Sequence, residues 1–156
     1  MTTYASVEEL TAAIGDEGGA GEQLSDWFEI DQKRIDTFAD ATGDHQWIHV
    51  DADRAAAGPF GSTIAHGYLT LSLLAPMMMG LIELEGSPMV INYGLDRVRF
   101  LNPVKVGGRV RGHCRLSAVA PTPQGVRVTT TVTVEIEGVD RPALVADSIA
   151  LFILPS

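Results

Sequence analysis

Cysteine is nearly missing from this chain. Cys114 is the single thiol among 156 residues, so no internal disulfide can form and the stapled architecture of small secreted domains is excluded. No basic-then-apolar leader follows Met1, and together the two absences point to a cytoplasmic protein. Basic residues are also scarce: eleven Lys and Arg stand against twenty Asp and Glu, a net charge of −9. Such a balance repels nucleic acid and anionic membranes, so neither is an expected partner and any anionic ligand must be gripped locally. Long apolar runs are limited to one, Ala65 to Ile82. Thr70, Ser72, Pro76 and Gly80 interrupt it within otherwise strand-patterned sequence, which predicts a buried central helix rather than a membrane span. Motifs are missing too. The glycines of Gly15 to Gly21 do not form GxGxxG, Ser62 sits in no GxSxG elbow, and there is no HExxH; a dinucleotide site and a serine hydrolase are disfavoured. His45, His49 and Asp51 share no helical face, and no metal is expected.

What remains is an ordinary globular composition, 46% apolar and 20% charged. The length suits one domain, 1–156, able to bury about 70% of its unfolded surface. Residues 1–22 form an N-terminal extension. In it Ser6 and Glu9 have capping-box spacing, which predicts a helix over Ser6 to Ile14, followed by the glycine loop. Leu24 to Ile30 is extended. Asp31 then caps a helix whose Ile35, Phe38, Ala39 and Thr42 share one face, with Ile30 and Ile35 placed as a hydrophobic staple and Gly43 closing its end. The second half is strand-like. Val90–Leu101, Gly108–Ala120, Gly125–Glu137 and Ala143–Ile153 are separated by Asn102-Pro103, Pro121–Gly125 and Gly138–Pro142, and such short links make antiparallel neighbours. Val126, Val128, Val132 and Val134 alternate with polar residues, leaving one wet face. Helices first and a hairpin sheet second make the class α+β, economically closed by curling the sheet around Gly67 to Ile82.

Proton-transfer groups are densest in Thr42-Gly-Asp44-His45-Gln46-Trp47-Ile-His49-Val-Asp51, just past a helix end. A carboxylate near pKa 3.9 and an imidazole near 6.5 can together hold and activate a water. The same residues could instead be a turn cap, Asp44, and a structural hydrogen bond, His49. A second cluster, Gly58 to Gly67, leads into the apolar helix. There the Gly67 N–H is either a bare donor for a ligand oxygen or a place for close packing.

Phe38-Ala-Asp-Ala-Thr-Gly-Asp44-His-Gln-Trp-Ile-His49-Val-Asp51 resembles the hydratase motif of the MaoC-like dehydratases, the (R)-specific enoyl-CoA hydratases. Ala65-His66-Gly67-Tyr68 is similar to that family's second signature, and Asn102-Pro103-Val104 to its inter-strand turn. The likeness spans about residues 25 to 155. Gln46-Trp47 stand where many members have Asn-Pro, so a proline's fixed φ is lost from the loop; this form is similar to a subgroup labelled nodulation protein N-like. The resemblance implies a hot-dog fold, a homodimer joined through its sheets, and hydration of trans-2-enoyl-CoA to (R)-3-hydroxyacyl-CoA. It assigns Asp44 and His49 to the water and the Gly67 N–H to the thioester oxygen, with no cofactor beyond the coenzyme A of the substrate. His66 and Trp47 are further candidates for substrate contact.

Charge is unevenly spread. Residues 1–54 carry thirteen of the twenty acids, whereas 97–115 carry six of the eleven bases and no acid. Arg97 and Arg99 share a strand face, and Arg109, Arg111, His113 and Arg115 form a second period-two row beside Lys105. These bases either receive coenzyme A phosphates or pair with acids such as Asp96. Cys114 lies opposite that row as packing, and Met77 to Met79 belong to the core or an acyl pocket. Two other functions fit the same fold: a hot-dog thioesterase that cleaves the acyl thioester, and a non-catalytic acyl-CoA-binding or partner subunit.

Overall fold

The computed structural model describes residues 1–14 and 21–155, so the glycine loop of the sequence reading lies, Gly21 apart, outside the described residues. At the N-terminus, β1 (Thr2–Tyr4) precedes α1 (Val7–Ala12). The Ser6 hydroxyl accepts the Glu9 N–H, and the Glu9 carboxylate accepts the Ala5 N–H at 2.6 Å, so the spacing of these residues does cap the helix. Two short strands, β2 (Gln23–Leu24) and β3 (Phe28–Ile30), replace the single extended segment expected at 24–30. Next comes α2 (Gln32–Thr42). The Asp31 carboxylate accepts the Arg34 N–H, and Ile30 and Ile35 are both fully buried in one core. Gly43 closes this helix at φ 80°, a left-handed conformation that turns the chain toward the next elements.

Two pairs of short helices follow: α3 (Trp47–Val50) and α4 (Ala52–Ala56), then α5 (Gly67–Ser72) and α6 (Leu74–Met78), before β4 (Ile82–Leu84). Four long strands complete the chain, β5 (Met89–Phe100), β6 (Gly108–Thr122), β7 (Gly125–Ile136) and β8 (Val139–Ile153). They pair antiparallel in the order β6-β7-β8-β5, with β2 and β3 both on the far side of β6. Val126, Val128, Val132 and Val134 are buried, as their alternation required. Leu69, Leu73, Leu74 and Met77 pack on that inner face with Val110, Leu144 and others. A sheet curled on a central helical segment is the α+β hot-dog arrangement.

The central segment departs from the expected single buried helix. It breaks between Ser72 and Leu74, because Pro76 has no N–H to give the Ser72 carbonyl and its ring crowds that carbonyl. Its outer side is also uncovered: Tyr68 and Met79 are 69% and 79% exposed. The far end, instead of continuing as helix, becomes β4, which runs parallel to β1 with Thr2 opposite Ile82. The N-terminal extension is therefore more than a helix and a loop. Tyr4 and Leu10 join Leu84, Leu116, Val126, Val128 and Phe152 in a second core. At the opposite edge of the sheet, β5 pairs only with β8 among the described residues and exposes Val90, Tyr93, Leu95 and Phe100.

Candidate active site

His49 comes to rest in a four-residue helix with no side-chain cap at its start, a length that cannot hold itself by its own hydrogen bonds. Neighbouring backbone holds it. Ile64 N–H donates to the Ile48 carbonyl at 3.0 Å, and His49 Nδ1 lies 2.7 Å from the Ile64 carbonyl. A carbonyl only accepts, so Nδ1 carries the proton and the Nε2 lone pair is left for chemistry. Burial pushes the His49 pKa below the ordinary imidazole value, helped by the neighbouring His66 and opposed by the Ile64 bond and by Asp44. The ring is thus neutral at neutral pH and able to accept a proton.

Asp44 follows the left-handed Gly43 and is exposed; its Oδ1 accepts the Gln46 N–H at 3.3 Å. His66 is buried, and its Nε2 donates to the Asp44 carbonyl at 2.9 Å. Its ring stacks on His49 with centroids 3.8 Å apart and planes 24° apart, while its Nδ1 is buried without a partner. One ligand atom from each of Asp44, His49 and His66 falls within 4.8 Å of the others. This trio differs from the His45, His49 and Asp51 considered as metal ligands: His45 turns to Asp40, and Asp51 caps α4. Metal-bound imidazoles point in-plane lone pairs at one ion, whereas stacked rings hold theirs in nearly parallel planes.

A cavity of about 350 Å³ adjoins this group, lined by His49, Gly67, Thr70, Phe100, Asn102 and Pro103 among others. Gly67 is the first residue of α5, where an N–H has no intrahelical acceptor. Both readings of this glycine are present at once, because a Cβ there would meet the Phe100 ring at 3.2 Å.

The remaining candidates lie elsewhere. Trp47 packs its ring on Gly58 and under the Arg54 guanidinium, 4.4 Å from the ring centroid, which substitutes packing for the missing proline. His66 is held beneath Asp44 rather than among the residues lining the cavity. Arg97 and Arg99 do not share a simple strand face, since a bulge between Asp96 and Arg99 breaks the alternation and sets Arg97 at φ 52°. Arg97 pairs with buried Asp147 instead of the Asp96 considered from sequence. In the second row, Arg109 pairs with Glu137 and Arg111 with Glu135, both guanidiniums lying over Trp27. His113 reaches Glu135 and Glu22, and the hydrogen bond to Glu135 chiefly raises its pKa. Cys114 is buried, and burial pushes its thiol up to about 11. Among the three methionines, Met77 is core, while Met78 and Met79 line a second cavity. Sequence reasoning missed the Ile64 carbonyl and Phe100. A backbone oxygen has no residue-type signal, and Phe100 meets Gly67 only through the fold.

Known proteins share this organisation. Residues 14–137 match the family model described as the MaoC like domain. The chain is 50% identical over 154 residues to 3-hydroxyacyl-thioester dehydratase Z of Mycobacterium tuberculosis, covering 98% of this chain and 99% of the relative. It is 51% identical over 149 residues to nodulation protein N of Rhizobium leguminosarum bv. viciae, covering 94% and 90%. An (R)-hydratase from A. caviae involved in PHA biosynthesis superposes with a TM-score of 0.70 at 22% identity, covering 90% of this chain and 98% of that one. A family match across most of the chain, with named dehydratase relatives aligned nearly end to end, means that this chain belongs to the MaoC-like dehydratase family and is a hydro-lyase.

Proposed function

We propose that this protein adds water across trans-2-enoyl-CoA to give (R)-3-hydroxyacyl-CoA, and runs the reverse dehydration. The observation that carries the reading is the free Nε2 of a neutral His49, close to the Asp44 carboxylate and beside a cavity that also holds Gly67. Asp44 orients one water and His49 Nε2 takes its proton. The hydroxyl oxygen bonds the β-carbon, and the C=C electron pair moves toward the α-carbon and thioester oxygen. The Gly67 N–H receives that oxygen as its charge grows, and the proton returns to the α-carbon. The thioester itself makes the α-position acidic, so this chemistry asks for no metal or other cofactor. The named (R)-hydratase and thioester dehydratase relatives support the stereochemistry and substrate class.

The substrate's parts have places. Arg99 and Lys105 flank the Phe100–Val104 wall of the cavity and have no carboxylate partner among the described residues; they are proposed to meet the coenzyme A phosphates, in place of the paired Arg97. The acyl tail occupies a second cavity of about 340 Å³ lined by Ala75, Met78, Met79, Val90, Leu116 and Phe152 among others. A second copy covers the exposed apolar β5 edge and the open side of α5 and α6, giving a homodimer. No helix among the described residues is long and apolar enough to cross a membrane, and a cytoplasmic setting is proposed on the single, unpaired cysteine.

The test is loss of enoyl absorbance with crotonyl-CoA and trans-2-octenoyl-CoA, an Asp44→Asn control and chiral analysis of the product. An Asp44-dependent (R)-3-hydroxy product is expected. Release of free thiol from saturated acyl-CoA would replace this reading by the thioesterase, and saturable binding without turnover by the binding subunit.

A further inference from the structure

Gln32 opens α2, far from the cavity in sequence, yet its amide touches both segments that fix His49. Its Nε2 donates to the His49 carbonyl at 2.8 Å and to Asp36 Oδ1 at 2.8 Å. Its Oε1 accepts the Thr63 hydroxyl at 2.6 Å. The amide cannot be turned around, since a flip would set Oε1 against a carbonyl and a carboxylate, neither of which donates. The two contacts matter because of what they join. His49 O lies near the C-terminal end of α3, where carbonyls have no intrahelical partner. Thr63 is 1% exposed and immediately precedes Ile64, whose carbonyl sets the His49 tautomer. Gln32 thus clips the His49 segment to the Ile64 segment across the very hydrogen bond that leaves Nε2 free.

We propose that Gln32 and Thr63 form a positioning pair that sets the tautomer and aim of His49. This inference rests on His49 acting as the base of the proposed hydration. The α3 helix has no cap of its own, and its Gln46-Trp47 entry lacks proline, so the clip supplies rigidity that the local chain does not. A displacement of about 1 Å at a catalytic group can cost about 100-fold in rate.

Four variants and one spectrum test the pair. Gln32→Leu and Thr63→Val are expected to lower kcat by roughly 10- to 100-fold with KM within about twofold. The double variant falls no further than the worse single one, because both break one clip. Thr63→Ser, which keeps the hydroxyl, recovers most of the loss. Independently of turnover, the imidazole Nδ1–H of His49 gives a slowly exchanging, downfield proton resonance in the wild type, and it broadens or vanishes in Gln32→Leu and Thr63→Val. Wild-type kcat in either variant, additive losses, or an unchanged His49 resonance would overturn the proposal. Should Gln32→Leu not fold, Gln32→Glu, which keeps an acceptor for the Thr63 hydroxyl but loses the donor to the His49 carbonyl, takes its place in both measurements with the same outcomes. If the wild type hydrates no enoyl thioester, the proposed reaction fails while the resonance still reports on the clip.

Discussion

Gly67 allows the backbone donor to be deleted without disturbing the helix that carries it. It occupies the first position of α5, where proline is well tolerated because that N–H has no helical partner. The preceding His66 sits at φ −58°, ψ 139°, the extended region that a following proline demands. Gly67→Pro therefore removes one N–H from a backbone already shaped for it. Gly67→Ala is the control, keeping the N–H while adding the same Cβ. That Cβ lies 3.2 Å from two atoms of the Phe100 ring, a few tenths of an ångström inside a comfortable contact of about 3.5–4.0 Å. Phe100 is 49% exposed and can swing, and alanine regains about 0.8–1.0 kcal/mol of helix propensity over glycine. The alanine variant should keep its stability within about 1 kcal/mol, or about 2–4 °C in Tm. Loss of an oxyanion donor costs about 2.7–4 kcal/mol of barrier, so proline should be about 100- to 1,000-fold slower than alanine in enoyl-CoA hydration. Equal rates in two folded variants would refute a role for this N–H.

Four further outcomes concern other parts of the molecule. Because burial lowers the His49 pKa, kcat/KM for hydration should be level near pH 7 and fall on the acid side, below the ordinary value of about 6.5; an acid limb at or above about 6.5, or one that persists unchanged in His49→Gln, would refute His49 as base. The same shift gives stability that is present above about pH 6.5 and is lost as pH falls through the folded value, whereas His113, raised by Glu135, stabilises below about 6.5 and loses that contribution as pH rises through its folded value; pH-dependent unfolding of His49→Gln and His113→Gln variants separates the two. Ala75, at the second cavity, is eight residues beyond Gly67 across the break between α5 and α6, or at most about 12 Å at 1.5 Å per helical residue. At roughly 1.2 Å per bond of an extended chain, a tail reaches it at about eight to ten carbons. Turnover should thus favour octenoyl- or decenoyl-CoA over crotonyl-CoA, and Ala150→Leu, at a residue that also lines the second cavity, should erase that preference; a profile flat across chain length, unaltered by Ala150→Leu, would place the tail elsewhere. Finally, Gly125 has φ +149° and its Cβ would lie 2.0 Å from the Phe152 carbonyl oxygen. Gly125→Ala should cost at least about 2 kcal/mol and lower Tm by about 4–8 °C, with Gly43→Ala excluded as a control by its positive φ and Gly94→Ala, whose Cβ meets nothing within 4 Å among the described residues, unchanged in thermal melts.

The readability of this chain follows the range of the interactions concerned. Caps and stops act over three or four residues, so Ser6, Asp31 and Gly43 stand in the sequence as they stand in the structure. Strand alternation has a period of two and survives in β7 without help from its neighbours. In the central helical segment two local signals compete: its apolar run asks for burial, but Pro76 breaks it, and the β5 edge beside it remains open in the single chain. Its outward face, with Tyr68 and Met79 exposed, stays apolar outside this chain's own core. Composition cannot distinguish that face from the buried one.

Long-range pairing was the other blind spot. The basic row at Arg109, Arg111 and His113 has its period in the sequence, but its partners Glu135 and Glu137 lie on the next strand, and only the register of β6 on β7 brings them opposite. A cation already held by a carboxylate is a poor phosphate receptor, so register converts an apparent anion site into a structural ion-pair ladder. The same logic makes the active-site motif only half legible. Asp44 and His49 are close in sequence, and the resemblance of their motif, rather than spacing alone, marks them as candidates. The group that decides which His49 nitrogen is free is the Ile64 carbonyl, fifteen residues away and identical in chemistry to every other carbonyl of the chain. Its identity depends on tertiary structure, in which Gln32 bonds both the His49 carbonyl and the Thr63 hydroxyl; the candidate groups are sequence features, whereas their protonation is a property of the fold.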